Sequence, residues 1–232
     1  MSYHDVKDSY GAEIAEIKAA GLWKTERVIA SEQKNEITLE GGANVVNMCA
    51  NNYLGLANNA EVMRAASDSL AQWGFGAASV RFICGTQGIH KTLEQRVSAF
   101  VGMEDTILYA ACFDANTGLF ETILGAEDAV ISDELNHASI IDGIRFAKTC
   151  HQATDSIFQH SDYDHLKSLL ELDQNTLKCI VTDGVFSMDG DIANLPKLLS
   201  LAEQYSALLY VDDAHGFGVL GENGHGSLEY FG

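Results

Sequence analysis

Four short, uninterrupted apolar runs alternating with helical periodicity constrain this chain more than any other feature. The runs lie at 106–110 (TILYA), 129–131 (AVI), 179–182 (CIVT) and 207–211 (ALLYV), and helical patterns occupy 114–124, 137–147, 163–172 and 195–205. A strand that is apolar on both faces must be covered on both. A helix between successive strands carries the chain back so that they run parallel. The pattern therefore predicts an α/β fold, a mostly parallel sheet with helices on both faces. The long stretch between the second and third runs has room for one more short strand near 150–154. Ligands of such sheets sit at the carboxyl ends of the strands, so the residues just after each run are the candidates for chemistry.

Upstream, Val6, Tyr10, Ile14 and Ile17 recur at helical spacing over 5–20, and Gly21 is placed to stop that helix. Alternating stretches at Ile37–Leu39 and Val45–Met48 flank Gly41 and Gly42 and predict a hairpin. Residues 61–73 and 88–100 carry helical patterns, and the small-residue segment 74–86 predicts a shaped loop. Residues 1–50 are read as an N-terminal helix and hairpin segment, and 51–232 as the major part of one large domain. Pro196 is expected in the first turn of a helix, where its missing N–H costs nothing.

The net charge of −19, from 33 acidic and 14 basic side chains, argues against a nucleic-acid partner, since phosphates are neutralised by Lys and Arg. No run of eighteen apolar residues occurs, so no membrane span is expected. The first residues show neither a secretory nor a transit pattern. Five cysteines without a CxxC pair, four of them in apolar strings, predict reduced, buried thiols. The expectation is a soluble, cytoplasmic protein.

Each run leads into a polar or small-residue segment. Ala111-Cys112-Phe113-Asp114 opens a helix whose free amides suit a phosphate, or it is an ordinary turn with Phe113 plugging the core. Asn136-His137-Ala138-Ser139 opens another, where His137 either faces a flat cofactor or merely caps and packs. Asp183-Gly184-Val185-Phe186-Ser187-Met188-Asp189-Gly190 demands a tight polar loop, at a ligand or as a structural turn. Asp212-Asp213-Ala214-His215-Gly216 is the sharpest signal. Two adjacent carboxylates at a buried strand end need a cation nearby, either a protonated heteroaromatic nitrogen or a metal. The G-x-G-x-x-G match at 216–221 lacks the helix that should come after it, so a dinucleotide site is set aside.

Taken together, these pieces resemble the α-oxoamine synthases, enzymes of the fold-type I pyridoxal-phosphate (PLP) class that join an amino acid to an acyl-coenzyme A. The resemblance rests on Asn51-Asn52-Tyr53-Leu54-Gly55-Leu56, Gly85-Thr86 and the three segments that begin at Asn136, Asp183 and Asp212, in family order from about residue 20 onward. Ser79–Thr86 and Cys112–Asn116 look most like the glycine C-acetyltransferase branch. The resemblance implies an aspartate aminotransferase-like fold, PLP as cofactor, glycine and acetyl-coenzyme A as substrates, and a homodimer with shared sites. It implies that Asp212 pairs with the pyridine nitrogen and that His137 stacks on the ring. His215 and Ser187 would bond the phenolic oxygen, and the amides of Cys112 and Phe113 the phosphate. Asn52 would position the substrate carboxylate, and Arg81 would serve the substrate or coenzyme A. The implied reaction passes through a quinonoid carbanion to 2-amino-3-ketobutyrate, a step of threonine breakdown.

The Schiff-base lysine of that family belongs after the Asp-Asp-Ala-His segment, whereas the last lysine here is Lys197. The chain is therefore expected to be inactive alone. Three alternatives stand beside this reading. One is another α-oxoamine synthase, such as an amino-oxononanoate or aminolevulinate synthase. Another is a metal-dependent hydrolase built on Asp212, Asp213 and His215 with Asp183 or His225. The third is a non-catalytic dimerisation fragment.

Overall fold

Apolar residues alternate sides along the central strands, and this builds the core. The computed structural model describes residues 2–232, which separate into two compact units, the first ending at Gly74 and the second Phe75–Gly232. The first unit holds helix α1 (Tyr3–Ala19), the antiparallel strands β1 (Glu36–Thr38) and β2 (Asn44–Val46), and helix α2 (Ala60–Trp73). Helix α1 begins with a capping box in which the Ser2 hydroxyl and the Asp5 carboxylate each bond the other's backbone N–H. It ends as its sequence predicts: Gly21, at φ +70°, donates to Lys18 and Leu22 donates to Ile17, closing the last turn.

In the second unit, helix α3 (Gly88–Val101) and helix α4 (Cys112–Ile123) precede strand β3 (Asp128–Asp133). Helix α5 (Ala138–His151), β4 (Thr154–Phe158), α6 (Tyr163–Leu172), β5 (Leu177–Asp183), α7 (Leu195–Gln204), β6 (Leu208–Asp212) and α8 (Ser227–Phe231) come next. The four strands form one parallel sheet in the order β4-β3-β5-β6. Ile131 and Ile180 point into a cluster with Phe158, Leu166, Leu170, Leu195 and Leu198, beneath α6 and α7. Their strand neighbours Val130, Cys179 and Val181 point the other way, against Phe120 and Leu124 of the α4 segment and Ile140, Ile144 and Ala147 of α5. Each such fully buried aliphatic side chain contributes roughly 1.5–3 kcal/mol.

This strand order creates a switch point. The connection after β3 leaves toward β4, and the connection after β5 leaves toward β6 on the other side. A crevice between the carboxyl ends of β3 and β5 is the expected ligand position. His137 lies just past one of these strands and Ser187 just past the other.

Two expectations are corrected. The run at 106–110 is not a strand: it makes no ladder with any described strand, and Ile107 and Tyr109 are exposed. An apolar run becomes a strand only where a neighbour completes its hydrogen bonds. Of the five thiols only Cys179 is buried, while Cys49, Cys84, Cys112 and Cys150 are exposed. Apolar sequence neighbours bury a side chain only when it shares their face. Pro196 does occupy the first turn of α7. Among the described residues no helix is long and apolar enough to cross a membrane.

Candidate active site

Strand β6 ends on Asp212, whose carboxylate is buried yet richly bonded. It accepts from the Asn116 amide at 2.7 Å and from the Ala214 backbone N–H at 3.0 Å, with the Cys112 thiol at 3.5 Å. Asn116 lies one turn into α4 and is fully buried, on the helix face that also carries Cys112 and Phe120. Its amide nitrogen also donates to the Ser139 hydroxyl at 2.9 Å, and its carbonyl accepts from the Tyr210 hydroxyl. Ser139 lies 2.6 Å from His137 Nδ1, which also accepts the Ser139 backbone N–H at 3.2 Å. Since Nδ1 takes these bonds on its lone pair, the ring carries its proton on Nε2. A continuous hydrogen-bonded path thus runs from Asp212 through Asn116 and Ser139 to His137.

Beside Asp212, in direct register on β5, stands Asp183. It is buried, and its Oδ1 has no hydrogen-bond partner. Burial, and then the charge of Asp212, push its carboxyl up to about 7. Partial desolvation and then the charge of Asp212 push the Cys112 thiol, though solvent-accessible, up to about 11, so it stays neutral and can donate. The Tyr210 hydroxyl is likewise raised, first by burial and then by Asp212. Among the described residues no cationic side chain pairs with either carboxyl group, so a protonated aromatic nitrogen would be favoured beside them.

Helix α4 starts at Cys112 with no side-chain cap from Ala111, so the first-turn amides of Cys112 and Phe113 are open to an anion. The Phe113 and His137 rings meet edge to face at 6.4 Å. The structure therefore brings Cys112, Phe113, His137 and Asp212 into one cluster. Ser187 is exposed on a tight hairpin after β5, in which Phe186 and Asp191 share a backbone bond and Gly190, at φ +80°, makes the turn. His215 is half-buried in the turn after β6.

Two predicted residues have other partners. The Arg81 guanidinium binds the buried Glu94 at 2.6 Å, and Lys91 binds the other oxygen of the same carboxylate. These two cations hold Glu94 well down, to about 2. Arg81 opens a π-helical turn, Arg81–Gly85, where a Cβ on Gly85 would lie 2.1 Å from the Ser79 carbonyl oxygen. Asn52, in the first unit, accepts from the Ala57 N–H and lines a cleft with Lys34, Asn35, Asn47, Tyr53 and Asn58.

Asp213 diverges from Asp212. Its carboxylate accepts the Ser227 N–H at 2.8 Å in a pocket walled by Gly184, Gly216 and Gly226, where any Cβ would overlap it. This divergence takes Asp213 away from a metal set shared with Asp212 and His215. Among the described residues no three His, Cys, Asp or Glu side chains converge on a possible metal position.

Sequence reasoning assigns no role to Asn116, Ser139 or Tyr210. The available signals were an Asn on an otherwise apolar helix face and a Tyr two residues before Asp212, hence on the same strand face.

The sheet, its order and this strand-end site define a fold-type I PLP-dependent transferase fold. The chain belongs to the aminotransferase class I and II family, whose model matches residues 43–229. It is 55% identical over 216 residues to the 2-amino-3-ketobutyrate coenzyme A ligase of Escherichia coli K12, covering 92% of this chain and 53% of that protein. It is 51% identical over 222 residues to the mitochondrial protein of that name from Bos taurus, covering 95% and 52%. Among solved structures, a serine palmitoyltransferase variant from S. paucimobilis with bound PLP-myriocin aldimine superposes with a TM-score of 0.88 at 29% identity, covering 100% and 58%. The chain spans about half the length of the curated relatives it matches.

Proposed function

We propose that this chain carries the larger part of the cofactor site of a PLP-dependent glycine C-acetyltransferase, which condenses glycine with acetyl-coenzyme A to 2-amino-3-ketobutyrate and coenzyme A. The observation that carries this reading is the buried pair Asp183 and Asp212, with Asp212 held by Asn116 and tied through Ser139 to His137. PLP supplies, when bound, the electron sink that stabilises a carbanion at the glycine α-carbon. Asp212 would answer the charge of the pyridine nitrogen, and the Asn116 amide and Ala214 N–H hold that carboxylate in place. His137, with its Nδ1 fixed by Ser139, presents its ring to the cofactor face. Ser187 and His215 bond the phenolic oxygen, and the Cys112 and Phe113 amides receive the phosphate. Asn52 and Arg81 serve the substrate, within a homodimer.

The choice of glycine and acetyl-coenzyme A, and a part in threonine breakdown, is supported by the likeness to the two ligases. Five free thiols suit a reducing, cytoplasmic setting.

The test is a titration with PLP read by induced circular dichroism in the visible band. Saturable binding that weakens at least tenfold in Asp212→Ala supports the reading; equal signals from both proteins would refute it.

A further inference from the structure

His160 lies beyond the end of β4, outside the cluster of Asp212 and His137, yet it ties together the two loops that flank the switch-point crevice. Its Nδ1 is 2.9 Å from the carboxylate of Asp133, at the end of β3, and its Nε2 is 2.8 Å from that of Asp191, in the hairpin after β5. Its ring also meets the buried Phe186 edge to face at 4.4 Å, so it grips the hairpin at both Phe186 and Asp191. Asp133 is itself a hub: it accepts the Leu135 N–H at 2.9 Å, at the start of the turn leading to His137, and the Ser161 N–H at 3.1 Å.

A neutral imidazole has one N–H and one lone pair, so it can donate to only one of two facing carboxylates. The other contact would set a lone pair against an anion. Both distances together fit the doubly protonated ring between two carboxylates. We propose that His160, as an imidazolium, is a positioning residue that clasps the Ser187 hairpin to the His137 turn and so holds the cofactor site in shape. This rests on the PLP reading only for the ligand that the two loops bind, not for the clasp itself.

The charged and titratable groups around His160 favour the cation. Asp133 faces it from β3 and Asp191 from the hairpin, while Glu134 accepts the His160 backbone N–H at 2.9 Å. From α6 and its cap, His165 takes the Gln159 N–H and Asp162 takes the His165 N–H. Burial pushes the His160 ring down, but its bonds to Asp133 and Asp191 and the charges of both outweigh that and leave it raised. The clasp is therefore closed below the ordinary histidine value of about 6.5 and is lost as pH rises through the higher folded value.

The experiment is carried out on the chain itself, without cofactor. Imidazole NMR tracks the His160 titration, and amide exchange tracks the protection of Phe186, Gly190 and Leu135. In the native chain His160 should titrate above the ordinary histidine range, and protection at the three amides should fall about tenfold across that transition. Asp191→Asn, a change at a half-exposed side chain, should move both transitions together to lower pH, and His160→Gln should show low protection at every pH. A His160 that titrates normally, or a transition that ignores Asp191→Asn, overturns the clasp.

A PLP titration of the same proteins separates the two proposals. If the native chain binds PLP and Asp191→Asn and His160→Gln bind it equally well at every pH, the positioning role fails while the function stands. If no protein binds PLP but the linked transitions are present, the clasp stands and the function fails.

Discussion

Asp183 and Asp212 stand opposite each other at the carboxyl ends of β5 and β6, two buried carboxyl groups in register on neighbouring parallel strands. Burial and the charge of Asp212 hold the Asp183 carboxyl up at about 7, so it keeps its proton over a range where the unfolded chain has lost its own. Between about pH 4 and pH 7 the folded state therefore binds more protons than the unfolded one, and stability declines as pH rises.

Asp183→Asn removes that decline. Urea denaturation at pH 5 and pH 8 should show the native chain losing roughly 2 kcal/mol more across the interval than the variant. Parallel losses in the two proteins would contradict the raised carboxyl.

Asn116 sits at the centre of the site network, bonded to Asp212, Ser139 and Tyr210 while fully buried. Asn116→Ala leaves those groups without partners and should cost about 2–4 kcal/mol by urea denaturation, whereas Tyr210→Phe, which removes a single bond, should cost about 1 kcal/mol. If the two cost the same, the hub is not Asn116.

Helices α4 and α5 approach so closely that a Cβ on Gly143 would lie 2.5 Å from the Asn116 backbone carbonyl oxygen and 2.9 Å from the Phe120 ring. Gly143→Ala should force the helices apart, lowering the melting temperature by an amount that corresponds to about 1–3 kcal/mol. Because α4 carries Cys112 and Asn116, PLP affinity should fall with it. An unchanged melt would show that the helices can separate freely.

Glu94, held near 2 by Arg81 and Lys91, stabilises the Arg81–Gly85 turn above the ordinary glutamate value of about 4.3 and ceases to do so as pH falls through about 2. Pepsin should therefore cut within 80–86 in the native chain only near the bottom of that range. Glu94→Gln should be cut at every pH at which pepsin works. Equal resistance of the two would place the stabilisation elsewhere.

Much of this architecture is legible without coordinates. The periodicities at 163–172 and 195–205 coincide with α6 and α7 to within a residue, because an amphipathic face is a property of spacing alone. The paired acids 212 and 213 likewise stand out in the sequence, since adjacent carboxylates at a strand end are costly wherever they occur. What spacing cannot convey is which distant groups meet. The segment 106–110 has every local property of a strand yet no ladder among the described residues, because pairing depends on a second backbone. Asp212 and Asp213 look equivalent in sequence. The strand pleat sends one to Asn116 and the other to a glycine-walled pocket at Ser227. The crevice, the Asp183–Asp212 pair and the His160 clasp all arise from the strand order β4-β3-β5-β6, which places residues tens of positions apart side by side. Local chemistry determined the elements, and only their tertiary order decided which charges would have to share a buried space.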